Sequence, residues 1–289
     1  MNKKQPIIAL CYDFDKTLSP KDMQEYGFIS KLGISPSQFW SEVNSCVKEY
    51  EADRATGYMF YMIKKYKECN LDFTKQDLEE CGKLIDLYKG VDTWFKRINK
   101  FAKENDCIVE HYIISSGNKE ILASTKIAKE FTKIYASSYM WDEKNHAIWP
   151  ALAINYTNKT QFLYRINKGI TDVTDDRVND KMPQEDRRIP FKNIVYIGDS
   201  LTDVPCMRLT MKSGGYAIGV YKKGVTNINA IMELLDNNRL DYFVEADYSK
   251  DSEIEKVIKQ IILKIKAQFN LEVMSKEQKQ KLSKLKDEI

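Results

Sequence analysis

Residues 7–18 read IIALCYDFDKTL, an apolar run that ends in two carboxylates two positions apart. Such a run predicts a fully buried strand of a parallel sheet. Ligands of open α/β sheets bind just beyond the carboxyl ends of the strands, which is where Asp13 and Asp15 fall. Paired carboxylates at that place suit a cation or acid–base chemistry, because they are costly to bury unpaired. The alternative is a solvated acidic turn after an ordinary strand.

Three later stretches also place polar side chains at the end of a predicted strand or the start of a predicted helix. Residues 113–117 read IISSG, residues 158–160 read NKT, and residues 194–203 read IVYIGDSLTD. Carboxyl ends of parallel strands share one edge of a sheet. The three stretches that end a strand are therefore expected to meet in one pocket, and the N-terminal end of the helix near residue 159 is expected to face it.

In this order, the four stretches resemble the four motifs of the haloacid dehalogenase (HAD) superfamily, most of whose members are phosphatases. The likeness spans about residues 7–245. The resemblance implies an HAD-like hydrolase with a helical C1 cap, a lid over the active site. Dehalogenases of the same superfamily lack an acid at the position of Asp15, so this residue favours phosphoryl chemistry.

The chemistry of phosphate-ester hydrolysis suggests roles for the first motif. An anionic nucleophile must approach an anion, so cations must lie on the phosphoryl oxygens. Asp13 is the candidate nucleophile, which would form an aspartyl-phosphate. Asp15 is the candidate that protonates the leaving oxygen and then deprotonates the hydrolytic water. Thr17 is interpreted as positioning Asp15 or the loop.

The second and third motifs are expected to bind the phosphoryl group. Ser115 would hydrogen-bond a phosphoryl oxygen, and the amides of Ser116 and Gly117 would form an anion-binding concavity. The alternative is a plain strand-to-helix turn. Lys159 would offset charge on the phosphate and on the nucleophile. Lys168 is a rival on the same predicted helix, but nine residues at about 1.5 Å each place it roughly 13 Å away.

The acidic residues predict a magnesium site. Mg²⁺ prefers hard oxygen ligands and is usually held by one or two carboxylates plus phosphate. Asp13 and Asp199 could supply these carboxylates. The resemblance adds the backbone carbonyl of Asp15, and Asp203 binding the metal directly or through water. The alternative for Asp199 and Asp203 is capping of the helix that follows them.

The stretch after the first motif shows helical periodicity and no strand pattern. A helix is predicted to begin at Ser35-Pro36, a second carries residues 58–66, and a third begins at Thr74 with an apolar face that reaches Tyr88. We therefore predict three parts: an α/β core over residues 1–18 and 91–270, a helical cap over 19–90, and a polar C-terminal tail over 271–289.

Predicted strands and helices alternate after Gly90, which indicates a doubly wound (Rossmann-like) parallel sheet. The last long helix is expected to start at a capping box formed by Ser252 and Glu255. The remaining predictions are helices over 119–130, 158–168, 202–211 and 229–235, a hairpin within 139–156, and a surface loop over 171–188.

Composition bounds the class of protein. The chain has 289 residues, 43% of them hydrophobic and 30% charged, and a net charge of +3, which indicates a globular protein with no nucleic-acid partner. No apolar stretch approaches a membrane span, and the first apolar run is too short for a signal peptide. Six cysteines show no metal or CxxC spacing, so we predict reduced thiols and a cytoplasmic location. His111 and His146 are interpreted as structural.

These observations predict an enzyme: a Mg²⁺-dependent phosphatase that hydrolyses a small phosphorylated metabolite through an aspartyl-phosphate. Two alternatives stay open. A phosphotransferase or mutase would pass the phosphoryl group to another hydroxyl, and a non-catalytic protein would only bind phosphate. The sequence identifies neither the substrate nor the oligomeric state, because an active site of this kind fixes only the class of reaction.

Overall fold

A seven-stranded sheet forms the centre of the molecule. The computed structural model describes residues 5–224 and 239–287, so the helix predicted over 229–235 lies outside the described residues. The strand order is β4-β3-β2-β1-β5-β6-β7, and all neighbours are parallel except β3 and β4. The strands are β1 (Ile7–Tyr12), β2 (Ile108–Asn118), β3 (Lys133–Trp141), β4 (Ala147–Leu152), β5 (Ile194–Gly198), β6 (Tyr216–Tyr221) and β7 (Tyr242–Glu245).

Helices cover both faces of this sheet. Alternate residues of β1 point to opposite faces: Ile8 and Leu10 belong to the core that includes α5 and α9, whereas Ala9 and Cys11 pack with α7 and α8. The predicted doubly wound parallel fold is therefore confirmed. The helices are α1 (Phe28–Lys31), α2 (Pro36–Glu49), α3 (Arg54–Glu68), α4 (Lys75–Lys83), α5 (Val91–Glu104), α6 (Lys119–Ala123), α7 (Lys159–Lys168), α8 (Val204–Lys212) and α9 (Glu253–Asp287).

The central strand sets the position of the motifs. Tyr12, the last residue of β1, pairs with Ile113 of β2 on one side and with Ile197 of β5 on the other. Because all three strands run in the same direction, the residues that follow these pairs lie at the same edge of the sheet. The register thus brings the first, second and fourth motifs together.

Residues 19–90, called the helical segment below, contain α1–α4 and no named strand. Two predicted helix starts are confirmed: the Ser35 hydroxyl accepts a hydrogen bond from the Gln38 amide, and Thr74 forms a capping box. The third helix is shorter than predicted, because α4 ends at Lys83. The residues expected on its last turn are not helical and instead lead to Gly90. This glycine has a left-handed backbone (φ 82°) and is the N-cap of α5.

One further prediction is corrected in part, and two others agree with the structure. Only residues 119–123 and a 3₁₀ turn at Ala128–Glu130 are helical in the stretch predicted as one helix over 119–130. The predicted hairpin is present as antiparallel β3 and β4. The predicted surface loop over 171–188 is present with two 3₁₀ turns.

The last helix packs on the body through a buried stripe that includes Ile254, Ile258 and Ile265. The predicted capping box does not form. Within residues 5–224 and 239–287 the Ser252 hydroxyl is buried without a partner, and the Glu255 carboxylate accepts from the Asp251 amide and from Arg97. The helix continues past residue 270 without a break, and its last turns are exposed.

The remaining composition-based observations concern cysteines and membranes. All six cysteines are free thiols, and five of them are buried. Across residues 5–224 and 239–287, every helix is too short or too polar to span a bilayer.

His111, in β2, belongs to a buried chain of hydrogen-bonded polar side chains. Trp94 Nε1 donates to the Tyr12 hydroxyl at 2.9 Å, and this hydroxyl lies 3.0 Å from His111 Nδ1. His111 Nε2 in turn lies 2.9 Å from Asn99 Oδ1. A neutral imidazole that accepts at Nδ1 and donates at Nε2 satisfies this whole chain. Burial accordingly lowers the pKa of His111 from 6.5 to about 3.

We expect this histidine to make the protein acid-sensitive. Its folded-state pKa is depressed, so the unfolded chain binds the proton first as the pH falls below 6.5, and the folded state loses stability. The loss should reach about 2 kcal/mol in the free energy of unfolding near pH 5. Urea denaturation of the wild type and His111→Gln at two pH values measures it. His146→Gln is the control, since this histidine lies in the hairpin and is partly exposed. An unchanged pH dependence in His111→Gln would contradict the assignment.

Candidate active site

The carboxyl edge of the sheet and the helical segment enclose a cavity of about 490 Å³. This volume is within the range of small-molecule sites. The cavity brings together seven of the eight predicted site residues: Asp13, Asp15, Ser115, Ser116, Gly117, Lys159 and Asp199. The helical segment contributes residues that no sequence motif indicated, namely Asp22, Gln24, Trp40, Arg54, Ala55 and Tyr58.

Lys159 connects the first motif to the fourth. Its Nζ donates to Asp13 Oδ1 at 2.9 Å and to Asp203 Oδ1 at 2.8 Å, and the side chain is 1% exposed. The Tyr196 hydroxyl donates to the same oxygen of Asp203 at 2.8 Å. Asp203 reaches this place because Gly198 has no side chain: a Cβ there would lie 2.5 Å from Asp203 Oδ2. The eighth predicted residue thus lies directly beneath the cavity.

Three carboxylates converge at this point. One oxygen each of Asp13, Asp199 and Asp203 lies within 4.8 Å of the other two. Within the described part of the chain, the Asp199 carboxylate receives one long hydrogen bond, from Thr17 Oγ1 at 3.4 Å. Burial, followed by the charges of Asp203 and Asp13, raises the pKa of Asp199 well above its usual range. Burial likewise raises the pKa of Asp13 to about 6, against the opposing effect of Lys159.

This donor set fits a hard divalent cation. All three groups offer carboxylate oxygens, and the one ammonium, of Lys159, contacts only two of them and offsets a single negative charge. A small divalent ion among these oxygens would stabilise the ionised form of all three groups. Burial would otherwise lower the pKa of Lys159, but the charges of Asp13 and Asp203 raise it above its usual range. Lys159 therefore stays cationic in this site.

Asp15 lies in a different environment from Asp13. Its carboxylate accepts a hydrogen bond from the Met23 amide at 2.8 Å. Burial, and then the charges of Asp22 and Asp13, raise its pKa well above the usual range. The next residue, Lys16, has a left-handed backbone (φ 59°) and forms an ion pair with Asp22 at the mouth of the cavity. Asp15 is thus a carboxyl group that holds a proton more readily than an exposed aspartate does.

The second motif presents its serine to the cavity. Ser115 is 1% exposed, and its Oγ accepts a hydrogen bond from the Gly117 amide at 3.0 Å. The Gly117 amide therefore already has a partner, whereas the sequence predicted it as a free donor to phosphate. A Cβ on Gly117 would lie 2.1 Å from Met23 Cε, so any side chain there would require Met23 of the helical segment to move.

The rival and structural residues lie elsewhere. Lys168 Nζ donates to the carbonyls of Val178 and Asp180, both at 2.6 Å, at the far end of α7. His111 is buried in the sheet, and His146 pairs with Asp142 in the hairpin. These positions agree with the choice of Lys159 and with the interpretation of both histidines as structural.

The chain is similar to known proteins in sequence and in fold. No protein-family profile matches the chain. The chain is 28% identical to an uncharacterized protein of Borreliella burgdorferi, over 88% of this chain and 96% of that one. An HAD family hydrolase of Salmonella enterica serovar Typhi is similar in structure, with a TM-score of 0.56 and 15% identity over 87% of this chain and 74% of that one.

Phosphoserine phosphatases are similar in structure to the same degree. One, solved with a phospho-aspartyl intermediate analogue, has a TM-score of 0.55 and 12% identity over 89% of this chain and 99% of that one. A probable phosphoserine phosphatase of Vibrio cholerae has a TM-score of 0.57 and 12% identity over 91% of this chain and 67% of that one. Together with the doubly wound sheet, these similarities identify the architecture: the chain has the fold of the HAD hydrolases and phosphoserine phosphatases that it resembles.

Proposed function

We propose that this protein is a Mg²⁺-dependent phosphatase that hydrolyses a small phosphate monoester through an aspartyl-phosphate. The observation that carries the proposal is the cluster of Asp13, Asp199 and Asp203, two of them bonded to Lys159, at a cavity on the carboxyl edge of the sheet. The fold of HAD hydrolases supports it. Fold alone does not fix an activity, and the chemistry of these residues is what favours phosphoryl transfer.

The proposed reaction has two steps. A carboxylate oxygen of Asp13 attacks phosphorus, the bond to the ester oxygen breaks, and Asp15 gives its proton to that leaving oxygen. Water then attacks the phosphorus of the aspartyl-phosphate, Asp15 takes the proton of the water, and inorganic phosphate leaves with Asp13 regenerated. The raised pKa of Asp15 suits the first step, because it favours the protonated form that this step needs.

The remaining residues would hold the phosphoryl group. Ser115 would donate its hydroxyl proton to a phosphoryl oxygen, and Lys159 would keep its charge beside the nucleophile. Asp13, Asp199, Asp203 and the backbone carbonyl of Asp15 would hold the metal. Bound Mg²⁺ supplies positive charge that offsets the phosphate during attack.

The helical segment is proposed to act as a cap. It lines one side of the cavity with Gln24, Trp40, Arg54 and Tyr58, so it would exclude bulk water and limit the size of the substrate. A small phosphorylated metabolite fits a cavity of about 490 Å³. The cytoplasmic location stays a prediction, which imaging of the tagged protein would test.

A panel of phosphorylated metabolites, assayed for phosphate release with Mg²⁺, tests the activity. Release of phosphate supports the proposal. Transfer of the phosphoryl group to an added alcohol or sugar without phosphate release would favour the phosphotransferase alternative. Phosphate binding without any turnover would favour the non-catalytic alternative.

Removal of the metal should affect stability as well as activity. We expect EDTA to abolish hydrolysis, and Mg²⁺ at about 100 times its dissociation constant to stabilise the fold by about 2.7 kcal/mol. The stabilisation is expected because the ion offsets repulsion among the three clustered carboxylates. Thermal unfolding with and without Mg²⁺ measures it. Asp199→Asn should lose the response, and Asp142→Asn, in the hairpin, should keep it. A melting temperature that Mg²⁺ does not change would contradict the metal site.

A further inference from the structure

A tyrosine of the helical segment reaches the phosphate-binding turn. Tyr58, in the second turn of α3, donates its hydroxyl to the backbone carbonyl of Ser116 at 2.6 Å. The side chain is 5% exposed and lines the cavity. The Ser137 hydroxyl on β3 donates to the same carbonyl at 3.0 Å. Both lone pairs of this carbonyl are therefore engaged, one by the helical segment and one by the sheet.

The two hydrogen bonds to the Ser116 carbonyl fix the orientation of the peptide group that joins Ser116 to Gly117. The peptide between Ser116 and Gly117 is planar and trans, so its N–H points opposite to its carbonyl. With the carbonyl held on one side, the Gly117 amide is directed to the other side, where it donates to Ser115 Oγ at 3.0 Å. The orientation of this amide thus depends on the Tyr58 and Ser137 hydroxyls.

The amide determines in turn where the Ser115 proton can go. The Gly117 N–H occupies one acceptor position of Ser115 Oγ. Within residues 5–224 and 239–287, no acceptor takes the hydroxyl proton of Ser115, and this side chain lines the cavity. The proton is therefore available to an oxygen in the cavity, which in the proposed reaction is a phosphoryl oxygen.

We propose that Tyr58 is a positioning residue: through the Ser116 carbonyl and the Gly117 amide, it directs the Ser115 hydroxyl at a bound phosphoryl group. The proposal rests on the proposed function, which assigns Ser115 to phosphate binding. It adds a specific role for the helical segment, whose docking on the core completes the phosphate-binding turn. Two further contacts hold α3 at this place: Asn155 Nδ2 donates to Asp53 Oδ2, and the Tyr139 hydroxyl donates to the Met59 carbonyl, both at 3.0 Å.

The test removes one hydroxyl. Tyr58→Phe keeps the ring that packs edge-on against Trp40 at 6.1 Å, so the fold should persist. We expect the dissociation constant of inorganic phosphate, measured by calorimetry with Mg²⁺, to rise about tenfold, as for the loss of one hydrogen bond. Tyr61→Phe is the matched control, because its hydroxyl bonds Glu42 inside the helical segment. That variant should bind phosphate as the wild type does.

A double-mutant cycle separates positioning from simple structural damage. If Tyr58 acts through Ser115, then Tyr58→Phe should change phosphate binding less than about twofold in a Ser115→Ala background. A full tenfold effect in that background, or none in the single variant, would overturn the proposal. Exchange of the Gly117 amide proton gives a readout that needs no ligand, and it should accelerate in Tyr58→Phe but not in Tyr61→Phe.

The outcomes distinguish this inference from the proposed function. If the wild type is active and Tyr58→Phe binds phosphate normally, the role of Tyr58 is rejected and the proposed phosphatase activity stands. If the wild type binds phosphate and Tyr58→Phe weakens that binding, but no monoester is hydrolysed, the phosphatase activity is rejected and the role of Tyr58 stands.

Discussion

Asp13→Asn is expected to lower the turnover of a generic aryl phosphate by about 10⁴-fold or more, the size of effect seen when a catalytic nucleophile is removed. The amide has the shape of the carboxylate but cannot attack phosphorus. The variant should also be no less stable than the wild type, because burial and the nearby charge of Asp203 disfavour the ionised form of Asp13. Steady-state kinetics and urea denaturation of the same preparation measure both effects.

Asp142→Asn is the control for this variant, since it makes the same chemical change in the hairpin, where the aspartate bonds His146. It should keep full activity. Wild-type turnover in Asp13→Asn would reject the nucleophile assignment, and with it the aspartyl-phosphate. A loss of activity accompanied by unfolding would instead show that Asp13 is required for structure.

Lys159→Met is expected to destabilise the fold by about 3–5 kcal/mol when metal is absent. Lys159 is buried between Asp13 and Asp203, and its removal leaves both carboxylates without their cation. Methionine fills similar space, so the loss should report the missing charge rather than a cavity. Urea denaturation in EDTA measures the change. The folded variant should also have lost its phosphatase activity.

Two comparisons make this second prediction specific. Adding Asp203→Asn to Lys159→Met removes one of the two uncompensated charges and should restore part of the stability. Lys168→Met removes a lysine from the same helix and should leave activity unchanged, because among the described residues its Nζ donates to the backbone carbonyls of Val178 and Asp180 alone. Equal stability of Lys159→Met and the wild type would show that the positive charge of Lys159 does not stabilise the carboxylates of Asp13 and Asp203.

The sequence was most informative where the pattern is local. The apolar run of β1, the Ser35-Pro36 helix start and the alternation of strands and helices depend on neighbouring residues, so they could be predicted. Errors occurred where tertiary contacts decide. Ser252 and Glu255 have the spacing of a capping box, but the Glu255 carboxylate bonds Arg97 of another helix instead of the Ser252 amide. The register of β2 beyond Ile114 is irregular, and no local pattern signals a strand that runs to Asn118.

The candidate site divides in the same way. The four motifs and the preference for Lys159 over Lys168 followed from the sequence, because strand ends of a parallel sheet share one edge and only the start of α7 faces it. The residues that the helical segment contributes, Tyr58 among them, carry no motif. They lie at the cavity because α3 docks against β2 and β3 through contacts between residues far apart in the chain. The sequence thus determined the chemistry at the sheet edge, and the tertiary structure alone decided which side chains cover it.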